Sequence, residues 1–318
     1  MITKNMKTTL TNLWDSDARL TAMGVVMIAL LAVAGVGLVL DPRQITGAPA
    51  WLKPAKFAAS IAIYSLTLAW VFMYLREWPR TRRVVSWITT VTLLLEIIII
   101  DVQAWRGTTS HFNIGTPMDG VLFSIMGLAI VAQTAASVAV AVALWRQHFS
   151  DRALGWALRL GMTMTIVGAT TGGLMVRPTQ AQIDNARAGH RMTVAGAHTV
   201  GAPDGGPGVL GTGWSREHGD LRVAHFLGLH ALQMLPLAAL LFVRRGWQEI
   251  RRVRTVLAIS ASYVSLFLLL LWQALRGQSV IAPDEAMVTA LALWGVLTGV
   301  ALWGAASRAF PVRVRAVA

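Results

Sequence analysis

The chain has no cysteine. That excludes disulfides, cysteine-ligated zinc, iron–sulfur clusters and covalently attached haem, so any metal must be held by histidine, carboxylate, methionine or backbone oxygen. Charge is scarce as well: Asp, Glu, Lys and Arg make up 14% of 318 residues against 55% hydrophobic ones, and the mean hydropathy is +0.57. Too few charges remain to cover a soluble surface of this length. Acid is the scarcer sign, 15 residues against 28 Lys and Arg, for a net charge of +13. This excess does not point to nucleic acid, because it forms no basic stripe and no reading module is present. The Lys and Arg residues lie in short segments between apolar runs, where they set topology and meet lipid headgroups.

What the chain does have is apolar runs of bilayer length. They cover residues 20–40, 54–75, 84–105, 119–145, 153–176, 221–243, 253–275 and 284–307. The first is too long for a signal-peptide core and lacks a small-residue cleavage site, so it reads as a retained span. The expectation is an all-α polytopic membrane protein with eight transmembrane helices, tails at 1–19 and 308–318, and a long loop over 177–220. Most Lys and Arg fall on the side of both tails, which predicts N-in/C-in topology in a bacterial inner membrane. Trp51, Trp78, Trp105, Trp145, Trp247 and Trp272 near span ends fit an interfacial belt.

Short segments recur at a nearly constant separation. Gln103-Ala-Trp-Arg106-Gly answers Gln273-Ala-Leu-Arg276-Gly, Leu52-Lys53-Pro-Ala-Lys56-Phe57 answers Leu221-Arg222-Val-Ala-His225-Phe226, and Pro117-Met-Asp119 answers Pro283-Asp-Glu285. These matches predict two copies of a four-helix unit, residues 20–145 and 146–307, which are parallel because each has an even number of spans. Under this alignment Lys56 corresponds to His225, and Asp101 to the apolar Leu271. Lys56 and Asp101 fall at one depth on adjacent antiparallel spans and are expected to form a structural ion pair. Without such an acid in the second copy, the imidazole of His225 is free to bind something.

Residues 213–236 concentrate polar groups on a span: Arg216, Glu217, His218 and Asp220 in the approach, then His225, His230 and Gln233 within the apolar run. Ionisable groups on such a helix are costly and usually functional. At about 1.5 Å per residue, His225 lies just below the outer surface and His230 roughly 14 Å deep, about 140° apart around the helix. Of the seven histidines, His111, His190, His198, His218, His225 and His230 all belong to the outer side, and only His148 to the inner. The Gly- and Pro-rich loop 177–220 also holds Val, Met, Leu and Trp, which predicts a folded lid rather than disorder. Glu96, deep in the third span, reads as a buried acid or proton-relay group.

Eight spans in two four-helix copies, with Phe112-Asn113-Ile-Gly-Thr-Pro117-Met-Asp119-Gly120 after the third, resemble the haem A synthase family. That resemblance implies a membrane enzyme that carries haem b and oxidises a haem methyl group. The family places histidines on the even-numbered helices of each half, whereas spans two, four and eight here have none, so only His225 or His230 would carry over. The stretch from His218 to Gln233 is also similar to one in uncharacterised eight-helix bacterial membrane proteins.

Histidines on bundle helices beneath an outer lid suit haem b or a His-ligated copper, iron or zinc ion, and hence a membrane oxidoreductase or electron-transfer role. The expected cofactor residues are His225, His230, His111 and Gln233; the expected metal ligands are His225, His230, His198 and His218. Glu96, Asp101 and Arg106 would act as catalytic groups, handling protons or haem propionates. One alternative is a proton-coupled transporter or small-molecule binding protein for a quinone-like or other substrate. Another is a metal-free membrane enzyme using Glu96, Asp101 and histidine as acid and base.

Overall fold

The computed structural model describes residues 2–307, with side chains from residue 9 onward. The tail 308–318, with Arg308, Arg313 and Arg315, and the side chains of Lys4 and Lys7 lie outside the described residues. With 71% of residues helical, the protein is all-α. The segment expected as a polar N-terminal tail is instead a helix, α1 (Ile2–Ser16), which rests against α2 (Ala18–Leu40) and α3 (Leu52–Phe72). A two-residue hairpin, β1 (Gln44–Ile45) and β2 (Ala48–Pro49), joins α2 to α3. Then follow α4 (Pro79–Trp105), α5 (Pro117–Arg146), α6 (Arg152–Thr170) and the single turn α7 (Gly172–Met175). The remaining elements are α8 (Gln180–Arg187), β3 (Thr199–Val200), β4 (Gly219–Asp220), α9 (Leu221–Leu229), α10 (Ala231–Arg244), α11 (Glu249–Leu275) and α12 (Glu285–Ser307).

Six helices are long and apolar enough to cross a bilayer: α2, α3, α4, α5, α11 and α12. The pair α9 and α10 makes a seventh candidate, bent by 46°. Eight spans were expected, and the two departures have local causes. The 19-residue α6 carries Arg152 and Arg159, and the Arg159 guanidinium donates to the carbonyls of Leu144 (3.0 Å) and Gln147 (2.7 Å) at the end of α5. The bend lies where the Thr165 hydroxyl enters the backbone ladder, donating to Leu229 O and accepting from Leu232 N, both at 3.3 Å. Pro236, inside α10, has no N–H to give the carbonyl four residues back.

Packing follows one pattern twice. The helix α2 packs on α3 and α4, and α4 packs on α3 and α5; likewise α6 packs on α9, α10 and α11, and α11 packs on α9, α10 and α12. The two sets meet along α5 and α6 and in a core joining Leu68, Phe72, Val140 and Leu144 to Leu158, Met162 and Leu232. Gly168 of α6 and Gly228 of α9 touch backbone to backbone: a Cβ on Gly168 would sit 2.5 Å from Gly228. Small residues at such crossings let helices approach closely in lipid. Outward faces stay apolar, as at Leu293, Val296, Leu297 and Val300 of α12.

The segment 177–220 is folded over one end of the bundle. Thr179 caps α8 with Gln182, and the Gln182 side chain clips Gly196 through its N–H (3.0 Å) and carbonyl (2.9 Å). Ala195 N donates to Phe112 O (2.8 Å), Ala197 N donates to Met175 O (2.9 Å), and β3 pairs antiparallel with β4.

Candidate functional site

Beneath this lid the first turns of α3 and α9 meet the loop that follows α4. Phe112, at a left-handed φ of 62°, turns that loop so that His111 points back into the bundle. Lys53 Nζ lies 2.9 Å from His111 Nδ1, with Ser110 Oγ 3.1 Å from the same nitrogen. An ammonium only donates, so Nδ1 accepts and Nε2 carries the hydrogen. That Nε2 faces Glu96 Oε1 at 3.4 Å. Glu96 is 1% exposed, and neither carboxylate oxygen has a hydrogen-bond partner.

Two more imidazoles occupy the same neighbourhood. Asp204 collects three donors: His198 N (3.0 Å), Thr199 N (2.9 Å) and His198 Nδ1 (2.6 Å). Burial opposes ionisation of Asp204, but these donors outweigh it and hold its carboxyl well below the usual range. Burial also lowers the His198 imidazole, against the Asp204 hydrogen bond that raises it, and Nδ1–H points toward Asp204. His225 Nδ1 lies 2.8 Å from Gly168 O and 3.2 Å from Thr171 Oγ1, so its hydrogen goes to the C-terminal end of α6. In both rings Nε2 is left without a hydrogen-bond partner among the described residues. His111 is pushed well below its ordinary value by burial, and then by the nearby charge of Lys53, His198 and His225.

No protein family model, curated relative or solved structure matches the chain.

The other expected site residues have different surroundings. Lys56 does not pair with Asp101; it donates to Thr212 O of the lid at 2.8 Å, and Asp101 makes no salt bridge among the described residues. The lid reaches Lys56 first, a contact that span depth alone cannot reveal. Arg106 is held by Asp119 (2.7 Å) and by Gln103, while Asp119 also receives Gln103 Nε2 (2.8 Å) and Thr116 Oγ1 (2.6 Å). Its guanidinium is committed to fixing the loop rather than free for catalysis. This lock and the bonds of Asn113 to Thr108 and Thr109 give the stretch Phe112–Gly120, the source of the haem A synthase resemblance, a scaffolding role.

His230 sits at the bend between α9 and α10 with its ring on Phe226 (4.3 Å between centroids), and Gln233 donates to Thr67 Oγ1 (3.3 Å). His218 is part-exposed in the lid, with its backbone N–H on Ser215 Oγ. Among the described residues no three His, Asp or Glu side chains gather as a metal-holding set, so His225, His230, His198 and His218 do not form a four-ligand centre. Sequence reasoning missed Lys53, Asp204 and the Asp220–Arg222 pair (2.5 Å) beside them. The match of Lys53 to Arg222 was a usable signal for two of these; nothing in the sequence indicated that Asp204 would hold His198.

Proposed function

We propose that the protein is an eight-span bacterial inner-membrane protein, N-in/C-in, built from two parallel four-helix units. It holds a His-ligated transition metal or haem b beneath its outer lid and serves in electron transfer. Equivalent devices support the duplication. Asp17 caps α2 through Leu20 N (3.0 Å) and Asp151 caps α6 through Leu154 N (3.1 Å); each also takes a donor from the third span of its unit, Ser86 or Arg252. Arg106 with Asp119 is matched by Arg276 with Asp284 (2.6 Å). In this reading α6 is the fifth of the eight spans, with Arg159 serving its inner end.

The observation that carries the metal reading is the shared posture of His198 and His225. Each gives Nδ1–H to an oxygen and leaves Nε2 open, the arrangement by which proteins orient metal-ligating imidazoles. A bound metal or haem would supply one-electron chemistry. The chain's own residues hold the two rings and cover them with the lid. Absorption spectra of the purified protein, oxidised and dithionite-reduced, together with elemental analysis, test this reading. Haem b bands or about one equivalent of metal, lost in His198→Ala and His225→Ala, is the expected result. A protein that stays colourless and metal-free after supplementation overturns it. The orphaned Glu96 beside Lys53 and His111 favours a second reading, proton-coupled binding of a small or quinone-like molecule; its mark is pH-dependent binding lost in Glu96→Gln.

A further inference from the structure

The inner face of α4 is polar along most of its length. Ser86, Thr89, Thr92 and Glu96 follow one another at helical spacing, and all four are buried. Hydroxyls on a membrane helix usually return a hydrogen bond to the preceding turn, as Thr92 does to Ile88 O at 2.8 Å. Thr89 does not: its hydroxyl, that of Ser65 on α3 and both oxygens of Glu96 are buried with no partner. In a bilayer interior each such atom carries a free-energy cost of kcal/mol size unless something satisfies it, and the usual satisfier is buried water.

The partnered groups complete a line through the unit. At one end Ser86 Oγ donates to Asp17 Oδ1 (2.8 Å). Midway, Thr92 Oγ1 meets Gln133 Oε1 (3.2 Å), Gln133 Nε2 donates to Tyr64 OH (3.1 Å), and Tyr64 OH meets Ser137 Oγ (3.1 Å). At the lid end Glu96 faces His111, which is backed by Lys53; these are the charged or titratable groups that face Glu96, from the loop and from α3. Steps of three or four residues along α4 are about 4.5–6 Å, a gap that one bridging water closes. The other unit lacks this line. Counting back from Gln273 as from Gln103, the positions of Ser86, Thr89, Thr92 and Glu96 are held by Val256, Ile259, Ser262 and Leu266.

We propose that helices α2 to α5 carry a proton path, bridged by buried water, from Asp17 to His111 and Lys53 under the lid, with Glu96 as its obligatory relay. At the lid end a proton passes from Glu96 to His111 Nε2 while Nδ1 gives one to a neutral Lys53, leaving a carboxylate and an ammonium; Lys53 then releases its proton to water under the lid, the Asp17 side of the path reloads Glu96, and a flip of the His111 ring restores the starting tautomer. The path does not rest on the metal reading, since neither His198 nor His225, the two rings that carry that reading, belongs to it.

The test is proton flux into liposomes holding the purified protein and a pH-sensitive dye, driven by a potassium diffusion potential. Wild type should acidify the lumen faster than protein-free liposomes. Glu96→Gln should cut the protein-dependent rate by about a hundredfold, the low end of what one proton-transfer group contributes. Glu96→Asp should keep an intermediate rate and Thr89→Val should lose several-fold. Thr134→Val, on an exposed part of α5 where the hydroxyl bonds only Ile130 O, should leave flux unchanged. Wild-type flux no faster than bare liposomes, or Glu96→Gln flux equal to wild type, overturns the proposal. If Glu96→Gln fails to fold, Thr89→Val decides, and full flux in that variant is equally fatal.

Discussion

The helices α2 to α5 and the helices α6 to α12 share a packing pattern but fill it differently. In the first set the inner face of α4 carries hydroxyls and a carboxylate, with Lys53 and His111 above them. In the second, the same face of α11 is mainly apolar, and the polar chemistry has moved to His225 and to His198 of the lid. Their close contacts also differ. A Cβ on Gly168 would strike Gly228 backbone at 2.5 Å, whereas one on Gly24 of α2 would meet Leu66 Cγ and Cδ2 at 2.6 and 2.7 Å, atoms of a side chain rather than of the backbone. One scaffold thus supports a polar line in one region and a rigid imidazole mount in the other.

The largest expected effect follows from that rigidity. Gly168→Val should lose about 3 kcal/mol or more of stability by overpacking, while Gly24→Ala stays within about 1 kcal/mol of wild type, its clash offset by better helix propensity. Thermal melts in detergent check both. Equal losses would remove the contrast between backbone and side-chain contacts.

The next effect compares the two Arg–Asp locks. The Asp119 side chain is 6% exposed and takes three side-chain donors, so Asp119→Ala should cost about 1–3 kcal/mol by leaving buried donors unmet. The Arg276–Asp284 pair is exposed and should matter less when Arg276 becomes Ala. Unfolding curves for the two variants side by side decide this.

A smaller effect is set by pH. The Asp284 carboxyl is lowered to about 2, first by the Arg276 hydrogen bond and then by the N–H of Met287. A lowered carboxyl contributes stability that is present above the unfolded value near 4 and lost as pH falls toward 2. Asp284→Asn should therefore lower stability by a constant amount across pH 5–8 and remove the further fall below about pH 4. The smallest effect tests an interaction that the structure lacks: Lys56→Met and Asp101→Asn should be additive within about 0.5 kcal/mol, and a larger coupling would restore the ion pair between them.

How much could be read in advance divides along a physical line. Run length revealed the helices, because it is a property of one segment. The apolar residues among the glycines of 177–220 signalled a folded lid for the same reason. The histidine partners were not readable. Lys56 and Asp101 share a depth, yet Thr212, more than 150 residues away in the chain, reaches Lys56 instead. Arg106 looked available until Asp119 and Gln103 closed on it.

By itself, then, the amino-acid sequence determined an all-α membrane protein, because bilayer-length apolar runs can bury their backbone polar groups in lipid only as helices or closed barrels, and no strand alternation is present. Only the tertiary structure decided which polar groups meet. A helix period assigns each side chain to a face, and the neighbour of that face depends on how the helices are arranged and where the lid folds. The tertiary structure brought Lys53 to His111 and Glu96, and turned His198 and His225 so that each has one committed and one open nitrogen.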